Sequence, residues 1–595
     1  MCGIAGYIDN SHVGDATWME QTSRAMADTL SHRGPDDGDI WLDSEAGLGF
    51  GFRRLAIIDL SPAGRQPMIS SCKRFVIVYN GEIYNTDELR SELQHIRFRG
   101  HSDTEVVLEA CAAWGVETAV KRMNGMFAFA VWDRQERKLS LVRDRLGIKP
   151  LYWGKFNNLL LFGSELKALK KHPGWRPVID RTALAAFMQH RYIPAPRSIY
   201  ENVYKLEPGH ILTISPQNQI EDKVYWAIND IIQQGKRSQF QFSDEEAIDQ
   251  LDTLLGDAVQ RRMVADVPLG AFLSGGIDSS AVVAQMQKHG SQDALTFSIG
   301  FDDPKYNEAV YAKAVAQHLG SRHTELYVGP DQARDIIPAL PTFYDEPFAD
   351  SSQIPTFLVS QMTKKHVTVA LSGDGGDELF AGYNRYQTAR LIRHWTAPIK
   401  GPLRKALIAI LTSLSPSGWN KLLYTFSKRC PGHKLYNFAA ILKVDPACIY
   451  RELVSEWNNP AALVIGAENP QGILWAAAKS QHLVDVVEEF QYLDTLNYLP
   501  DNILTKVDRA SMAVSLEART PILDHRIVEF AWRLPMTFKI RAKQRKWLLR
   551  QVAYKYIPRD LLERRKAGFK IPIDDWLKGS LRDWSESLLD KKRLS

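Results

Sequence analysis

Up to about residue 213, apolar residues fall in short runs separated by Gly, Pro, Asn and Asp. The runs are Cys2 to Asp9, Gly47 to Ile58, Phe75 to Tyr79, Met126 to Trp132, Leu139 to Arg143, Leu151 to Trp153, Leu159 to Ser164 and His210 to Ile214. Runs of this length between turn residues predict β-strands. Thr17 to Ser31 and Ser102 to Trp114 read as helices; in the second, Ser102 suits an N-cap and Val106, Val107, Ala110 and Cys111 make one apolar stripe. Helices packed on sheets follow, an α+β domain over residues 1–214. Residues 215–241, with Pro-Gln-Asn-Gln and Gln-Gln-Gly-Lys, are polar and turn-rich and predict a linker or return hairpin. From 242 the texture changes. Val267 to Leu273, Thr296 to Phe301, Glu325 to Val328 and Thr368 to Ser372 alternate with helical stretches, the pattern of an α/β domain with a mainly parallel sheet. Beyond about 385 the pattern is mostly helical.

Length and composition narrow the class. A chain of 595 residues makes roughly two to four domains. Its 45% hydrophobic and 24% charged content excludes a disordered or collagen-like chain. The net charge of +5, from 74 basic and 69 acidic residues, is a weak argument for a polyanion partner. Ten Lys or Arg fall between 541 and 566 against only Asp560 and Glu563, which reads as a solvated helix face with a few phosphate ligands, not a nucleic-acid patch. The five cysteines, at 2, 72, 111, 430 and 448, form no CxxC pair or zinc-type spacing, which fits a reducing cytoplasmic setting. The opening MCGIAGYID has no basic leader region, and no run approaches the ~20 apolar residues of a membrane span.

Candidate chemistry begins at Cys2. Removal of Met1 would leave a terminal thiol beside a free α-amine, a nucleophile next to its own base. An isolated cysteine is more often inert core, so weight comes from its companions. Attack on a carboxamide needs oxyanion donors and groups that hold the substrate's charged ends. Asn80-Gly81, read as following the strand Phe75 to Tyr79, offers a side-chain amide and a backbone N–H. Glu82 and Asp103 offer carboxylates for an ammonium, and Arg54 a planar fork for a carboxylate. Taken singly, Asn-Gly is a hairpin turn signal, Arg54 a surface cation and Asp103 a helix-end acid. In series, MCGIAGYI, RGPDDG at 33–38, RRLAIIDL at 53–60, NGEIYN at 80–85 and SDTEV at 102–106 resemble the class II glutamine amidotransferase domain. That resemblance implies an N-terminal-nucleophile fold of stacked sheets flanked by helices, which hydrolyses glutamine. It implies Cys2 as nucleophile, Asn80 and Gly81 as oxyanion hole, and Arg54, Glu82 and Asp103 as glutamine holders.

A second candidate site starts where Val267 to Leu273 runs into Ser274-Gly275-Gly276-Ile277-Asp278-Ser279-Ser280 and then a helix. Glycine-rich backbone at a helix N-terminus attracts phosphate, and the hydroxyls of Ser274, Ser279 and Ser280 add donors. Asp278 would repel phosphate unless Mg2+ lay between them, and Asp377 in LSGDGGDELF at 371–380 is its natural partner. There is no GxxxxGK[ST], which disfavours kinase-like chemistry. SGGIDSS resembles the pyrophosphate loop of ATP pyrophosphatases. With YDEPFADSS at 344–352, DNILTKVDRASMAVSLEARTPILDH at 501–525 and RKAGFKIP at 565–572, it resembles the synthetase domain of glutamine-dependent asparagine synthetases over nearly the whole chain. The resemblance implies Ser274 to Ser280 around the pyrophosphate, Phe272 and Ile299 near the adenine, and Ser372 and Gly373 on the nucleotide. It implies Asp374 in forming the acyl-adenylate and Lys566 in offsetting charge as pyrophosphate leaves. Some members of the family carry Glu in place of Asp374, which leaves the acceptor open between aspartate and another carboxylate such as a sugar uronate. A non-catalytic protein that has kept the fold is disfavoured by the retention of Cys2 and both acidic loops. ATP as co-substrate, Mg2+, glutamine and a homodimeric assembly follow from the resemblance alone.

Overall fold

Alternation along the strands sets the layers of the first domain. Its strands are β1 (Gly3–Asp9), β2 (Asp37–Asp43), β3 (Leu48–Arg54), β4 (Met68–Ile69), β5 (Phe75–Ile83), β6 (Gly125–Asp133), β7 (Lys138–Arg143), β8 (Tyr152–Phe156), β9 (Leu159–Gly163), β10 (Val203–Lys205), β11 (His210–Ile214) and β12 (Ile220–Val224). They form two six-stranded sheets, ordered β10-β8-β9-β1-β3-β2 and β12-β11-β7-β6-β5-β4. Successive side chains point to opposite faces. Ile4, Phe50 and Phe52 of the first sheet therefore pack on Val76, Val78, Ala128 and Ala130 of the second. The alternate residues Ala5 and Tyr7 meet Met26 in helix α1 (Ala16–Asp28). On the far side, Ile77, Tyr79, Phe127 and Phe129 meet Val106, Val107, Ala110 and Cys111 of α2 (Asp103–Trp114). The layers run helix, sheet, sheet, helix. Ser102 caps α2 as the sequence implied, its Oγ accepting from the Thr104 N–H at 3.2 Å.

The structure, a computed structural model, describes residues 2–594 except 302, 304–305, 397–398, 400, 423–431, 444–447, 473–482, 484 and 564–570. Cys430 and Lys566 lie outside the described residues. One local expectation is corrected. Asn80, Gly81 and Glu82 are not in a turn after the strand but inside β5, paired with Ala128, Phe127 and Met126 of β6. The Asn-Gly turn signal is local and yields to a nine-residue ladder. Glycine is needed there for close approach, since a Cβ on Gly81 would lie 2.4 Å from the Met126 carbonyl oxygen. Residues 215–241 contain the hairpin partner β12 and helix α3 (Ile228–Arg237), whose Ile228 and Ile232 are buried in the core of the second domain.

In that domain β13 (Leu269–Phe272), β14 (Leu295–Phe301), β15 (Arg322–Val328), β16 (Val369–Leu371) and β17 (Glu517–Arg519) form a parallel sheet ordered β15-β14-β13-β16-β17. Helix α4 (Asp244–Arg262) opens on a capping box of Ser243 and Glu246. Helices α5 (Ile277–His289), α6 (Ala309–Leu319), α7 (Thr505–Met512) and α8 (Trp547–Tyr554) follow. Strand β13 has neighbours on both sides, so the loops after β13 and β16 leave adjacent strand ends; such a crevice is where open α/β sheets bind ligands. The edge strand β17 is charged, yet Glu517 and Arg519 are fully buried because the first domain covers them. An apolar cluster crosses the same boundary: Leu55 and Ile57 from the first domain with Val369 and Met512 from the second. Among the described residues, no helix is long and apolar enough to cross a membrane.

Candidate active sites

The first site gathers on β1, β3, β5 and the start of α2. Cys2 is buried, and its nitrogen, an α-amine once Met1 is removed, donates to Asn80 Oδ1 at 2.9 Å. Asn80 Nδ2 is buried without a partner among the described residues, a donor held ready for an incoming acceptor. Burial pushes the Cys2 thiol up, while the Leu55 N–H and the Arg54 charge pull it down. Arg54 is fixed by the carbonyls of Asp59 and Ser61. Asp103 Oδ2 accepts from Tyr79 Oη at 2.7 Å and from the Ile83 N–H at 3.1 Å. Burial, then the neighbouring Asp103 carboxylate, hold Glu82 well above the usual carboxylate range; Arg519 opposes them, with Nη2 3.3 Å from Glu82 Oε2. Burial also raises Asp103. Two buried carboxylates side by side form a socket whose charge is best completed by a cation.

Arg33 ties this site to the second domain. Its Nε donates to the Cys2 carbonyl at 3.2 Å, Nη1 to Glu165 at 2.7 Å, and both Nη1 and Nη2 reach Asp508 of α7 at 2.9 Å. All three charged side chains are buried. The sequence offered RGPDDG as a motif but no signal that Arg33 pairs with a residue 475 positions away.

The second site is a cavity of about 330 Å³ at the ends of β13 and β16. Phe272, Ser274, Gly276, Asp278, Ser279, Ile299, Ser372, Gly373, Asp374 and Asp377 all line it, which brings together most of the nucleotide-site residues expected from the sequence. Gly275 and Ser280 are placed behind that lining. Gly275 turns the chain at φ +70° against the start of α6, and Ser280 is fully buried in α5. Glycine lets the loops touch: a Cβ on Gly373 would lie 2.6 Å from Ser279 N, and one on Gly376 2.4 Å from Asp278 Oδ1. Ser372 Oγ donates to Asp374, whose carboxyl burial pushes up.

Lys546, which the sequence reading left on a solvated face, is buried at the αL start of α8 and bridges the two expected metal ligands. Its Nζ donates to Asp278 Oδ2 and lies 2.7 Å from Asp377 Oδ1. Burial works against that charge, but the two aspartates hold Lys546 above the usual lysine value. Two carboxylates within reach of one ammonium are hard oxygen donors converging as a divalent cation requires, so Asp278 and Asp377 fit Mg2+. Lys506, at the start of α7, lines the same cavity and donates to Ser352 Oγ at 2.8 Å and Asp350 Oδ2 at 3.3 Å. Its only sequence signal was the DNILTKVDRA motif. Other basic residues of 541–566 are also ion-paired, Arg541 with Asp244, Arg550 with Glu563 and Lys555 with Asp252.

Known proteins match both halves. The family model described as "Asparagine synthase" covers residues 250–595, and that described as "Glutamine amidotransferase domain" covers residues 1–226. "Asparagine synthetase [glutamine-hydrolyzing] 1" of Bacillus subtilis is 32% identical across the whole chain and 90% of that protein. The chain belongs to the glutamine-hydrolysing asparagine synthetase family. It is an ATP-dependent amidotransferase ligase, and the family uses ATP as co-substrate. "Putative asparagine synthetase [glutamine-hydrolyzing]" of Mycobacterium tuberculosis H37Rv is 33% identical over 98% of the chain and 90% of that protein. A more distant relative carries another name: "Amidase chry2" of Gibberella zeae, 26% identical over 99% of the chain and 92% of that protein. Membership in the family accords with the N-terminal-nucleophile layers, the parallel-sheet cavity and their close junction.

Proposed function

We propose that the chain makes asparagine from aspartate, with glutamine as nitrogen donor and ATP as the source of activation. The observation that carries this reading is the seam between the sites. Leu55 lies beside Cys2, whose thiol pKa its N–H helps to lower, and its side chain shares a buried apolar cluster with Val369, the first residue of β16, whose far end opens on Ser372 and Asp374. We read that seam as the water-excluded path by which nitrogen released at Cys2 reaches the cavity. Water exclusion matters because ammonia that meets bulk water at neutral pH becomes ammonium, which is not a nucleophile.

In the first site the Cys2 amine takes the thiol proton, and the sulfur attacks the glutamine carboxamide carbon. The carbonyl oxygen becomes an oxyanion facing Asn80 Nδ2 and the Gly81 N–H. The Cys2 ammonium returns its proton to the departing nitrogen, and collapse expels ammonia and leaves a thioester, which water cleaves to glutamate. Arg54 holds the donor's carboxylate, and Glu82 with Asp103 its ammonium. In the cavity the acceptor carboxylate oxygen attacks the α-phosphorus of ATP, pyrophosphate leaves, and ammonia then displaces AMP from the acyl-adenylate. Mg2+ held by Asp278 and Asp377 would neutralise phosphate charge there. Ser274, Gly276 and Ser279 present donors to the phosphates, Phe272 and Ile299 flank the base, and Asp374 faces the acceptor; Lys566 is assigned to the leaving pyrophosphate.

A second acceptor, such as a sugar uronate, is open to the same machinery, and one relative over nearly the whole chain carries a name other than asparagine synthetase, an amidase. The test is product analysis with ATP, aspartate and glutamine labelled in the amide nitrogen. Labelled asparagine together with AMP and pyrophosphate supports the reading; donor consumption without labelled asparagine overturns the choice of aspartate.

A further inference from the structure

The glutamine pocket as read from the sequence lies wholly in the first domain, yet its most strongly perturbed carboxylate meets a cation from the second. Arg519 stands on β17, the edge strand that the first domain covers. It is fully buried, and each of its three guanidinium nitrogens is engaged. Nε donates to Glu517 at 2.6 Å, Nη1 to the carbonyls of Val264 and Arg262 at 2.7 and 2.9 Å, and Nη2 to Glu82 at 3.3 Å. Its main-chain carbonyl accepts the Ser372 N–H at 2.8 Å, so the strand that aims the guanidinium at Glu82 also borders the nucleotide cavity.

We propose that Arg519 is a positioning residue of the glutamine site, supplied by the second domain, which orients the Glu82 carboxylate for the donor's ammonium. The inference rests on Glu82 holding glutamine. A carboxylate buried beside Asp103 is costly to keep charged. A guanidinium on one oxygen offsets that cost and aims the carboxyl plane, leaving the other oxygen for the substrate. Three other acceptors, Glu517 and the carbonyls of Arg262 and Val264, fix the guanidinium itself. A flexible lysine at the same place supplies charge without the fork. The pocket is thus complete only when the two domains are docked, which places glutamine hydrolysis beside a formed synthetase sheet.

The experiment uses the full chain and glutamate release from glutamine, an assay that needs neither ATP nor an acceptor. Arg519→Met is expected to raise the glutamine KM by at least about tenfold with kcat within about threefold, the signature of lost ground-state binding. Arg519→Lys is expected to raise it by a smaller factor, a partial rescue that a merely structural role does not give. Titration with Mg2+ and ATP checks that the neighbouring cavity is intact. Glu82→Gln is run alongside. If Glu82→Gln leaves the glutamine KM unmoved, the reading of Glu82 fails and the inference with it. If Glu82→Gln raises KM but neither Arg519 variant does, the inference alone fails. Equal loss of kcat in Met and Lys variants, with KM unchanged, also overturns it.

Discussion

The two sites solve opposite problems. The cavity of the second domain rests on backbone turns, glycines at 373 and 376 letting two loops touch, and its charges, Asp278, Asp377 and Lys546, are paired within that one domain. The pocket of the first domain is made of buried charge: Cys2, Glu82, Asp103 and Arg54 lie inside, held by Arg33 and Arg519 from opposite sides of the domain boundary. A buried charge needs a partner, because an unpaired interior charge costs several kcal/mol. The cavity finds its partners inside the second domain, whereas the first site finds Arg519 only across the boundary. The first site is therefore the one that depends on domain docking.

The sharpest way to break this contrast is to disable one site alone. Cys2→Ala is expected to lower glutamine-supported amidation by at least about a thousandfold while amidation supported by added ammonium stays within about twofold. Parallel loss of both, measured by pyrophosphate release, contradicts the separation of the sites. The converse change is Lys546→Met, which leaves Asp278 and Asp377 facing each other without their bridging cation. Both glutamine- and ammonium-supported synthesis are expected to fall about a hundredfold, with glutamate release intact. A drop in glutamate release would show that the cavity and pocket are not independent.

Stability sharpens the comparison next. Arg33→Met removes the cation that links Glu165 to Asp508 across the boundary, while Glu165 keeps His32 and Lys167 and Asp508 keeps Arg509. The expected cost is about 1.5–3 kcal/mol in urea unfolding; a change under about 0.5 kcal/mol would mean that Arg33 is not needed to dock the domains. Gly81→Ala, a smaller lesion, drives a methyl against the Met126 carbonyl. It should destabilise by about 1–3 kcal/mol and slow glutamate release, without altering ATP affinity.

The smallest effect treats the two regions alike. Burial holds His172 of the first domain at about 4 and His525 of the second at about 3. Between those values and the ordinary ~6.5, the unfolded chain binds protons that the folded chain refuses. Their contribution is thus full at neutral pH and lost as pH falls through that window. The urea midpoint should drop less on acidification in His172→Gln than in the parent; an equal or larger drop contradicts the assignment.

The same contrast explains what the sequence disclosed. SGGIDSS and LSGDGGDELF were legible because glycines at strand ends have a local reason, and every strand flanking them was placed within a few residues. Cys2 was legible from its position and motif. Asn80 to Glu82 stand out in the sequence as candidates for an oxyanion hole and a glutamine holder but read as lying beyond the strand Phe75 to Tyr79, since the cross-strand ladder that keeps them extended is a non-local fact. Strand β17, with Glu517 and Arg519, carries no strand signal because its charges are buried by another domain. Lys546 was hidden among basic neighbours on an exposed-looking stretch, and only its backbone at φ 53° turns it into the cavity. Arg33 and Arg519 could not have been paired with Asp508 and Glu82 from spacing, since more than four hundred residues separate each pair.

The central claim is that nitrogen freed at Cys2 reaches the cavity through the buried seam of Leu55, Ile57, Val369 and Met512 without entering bulk water. It is tested most directly by supplying glutamine labelled in the amide nitrogen together with a large excess of unlabelled ammonium, and measuring label in the amidated product. Product that carries mostly donor nitrogen is the expected result. Product diluted to the composition of the bulk ammonium would contradict the account.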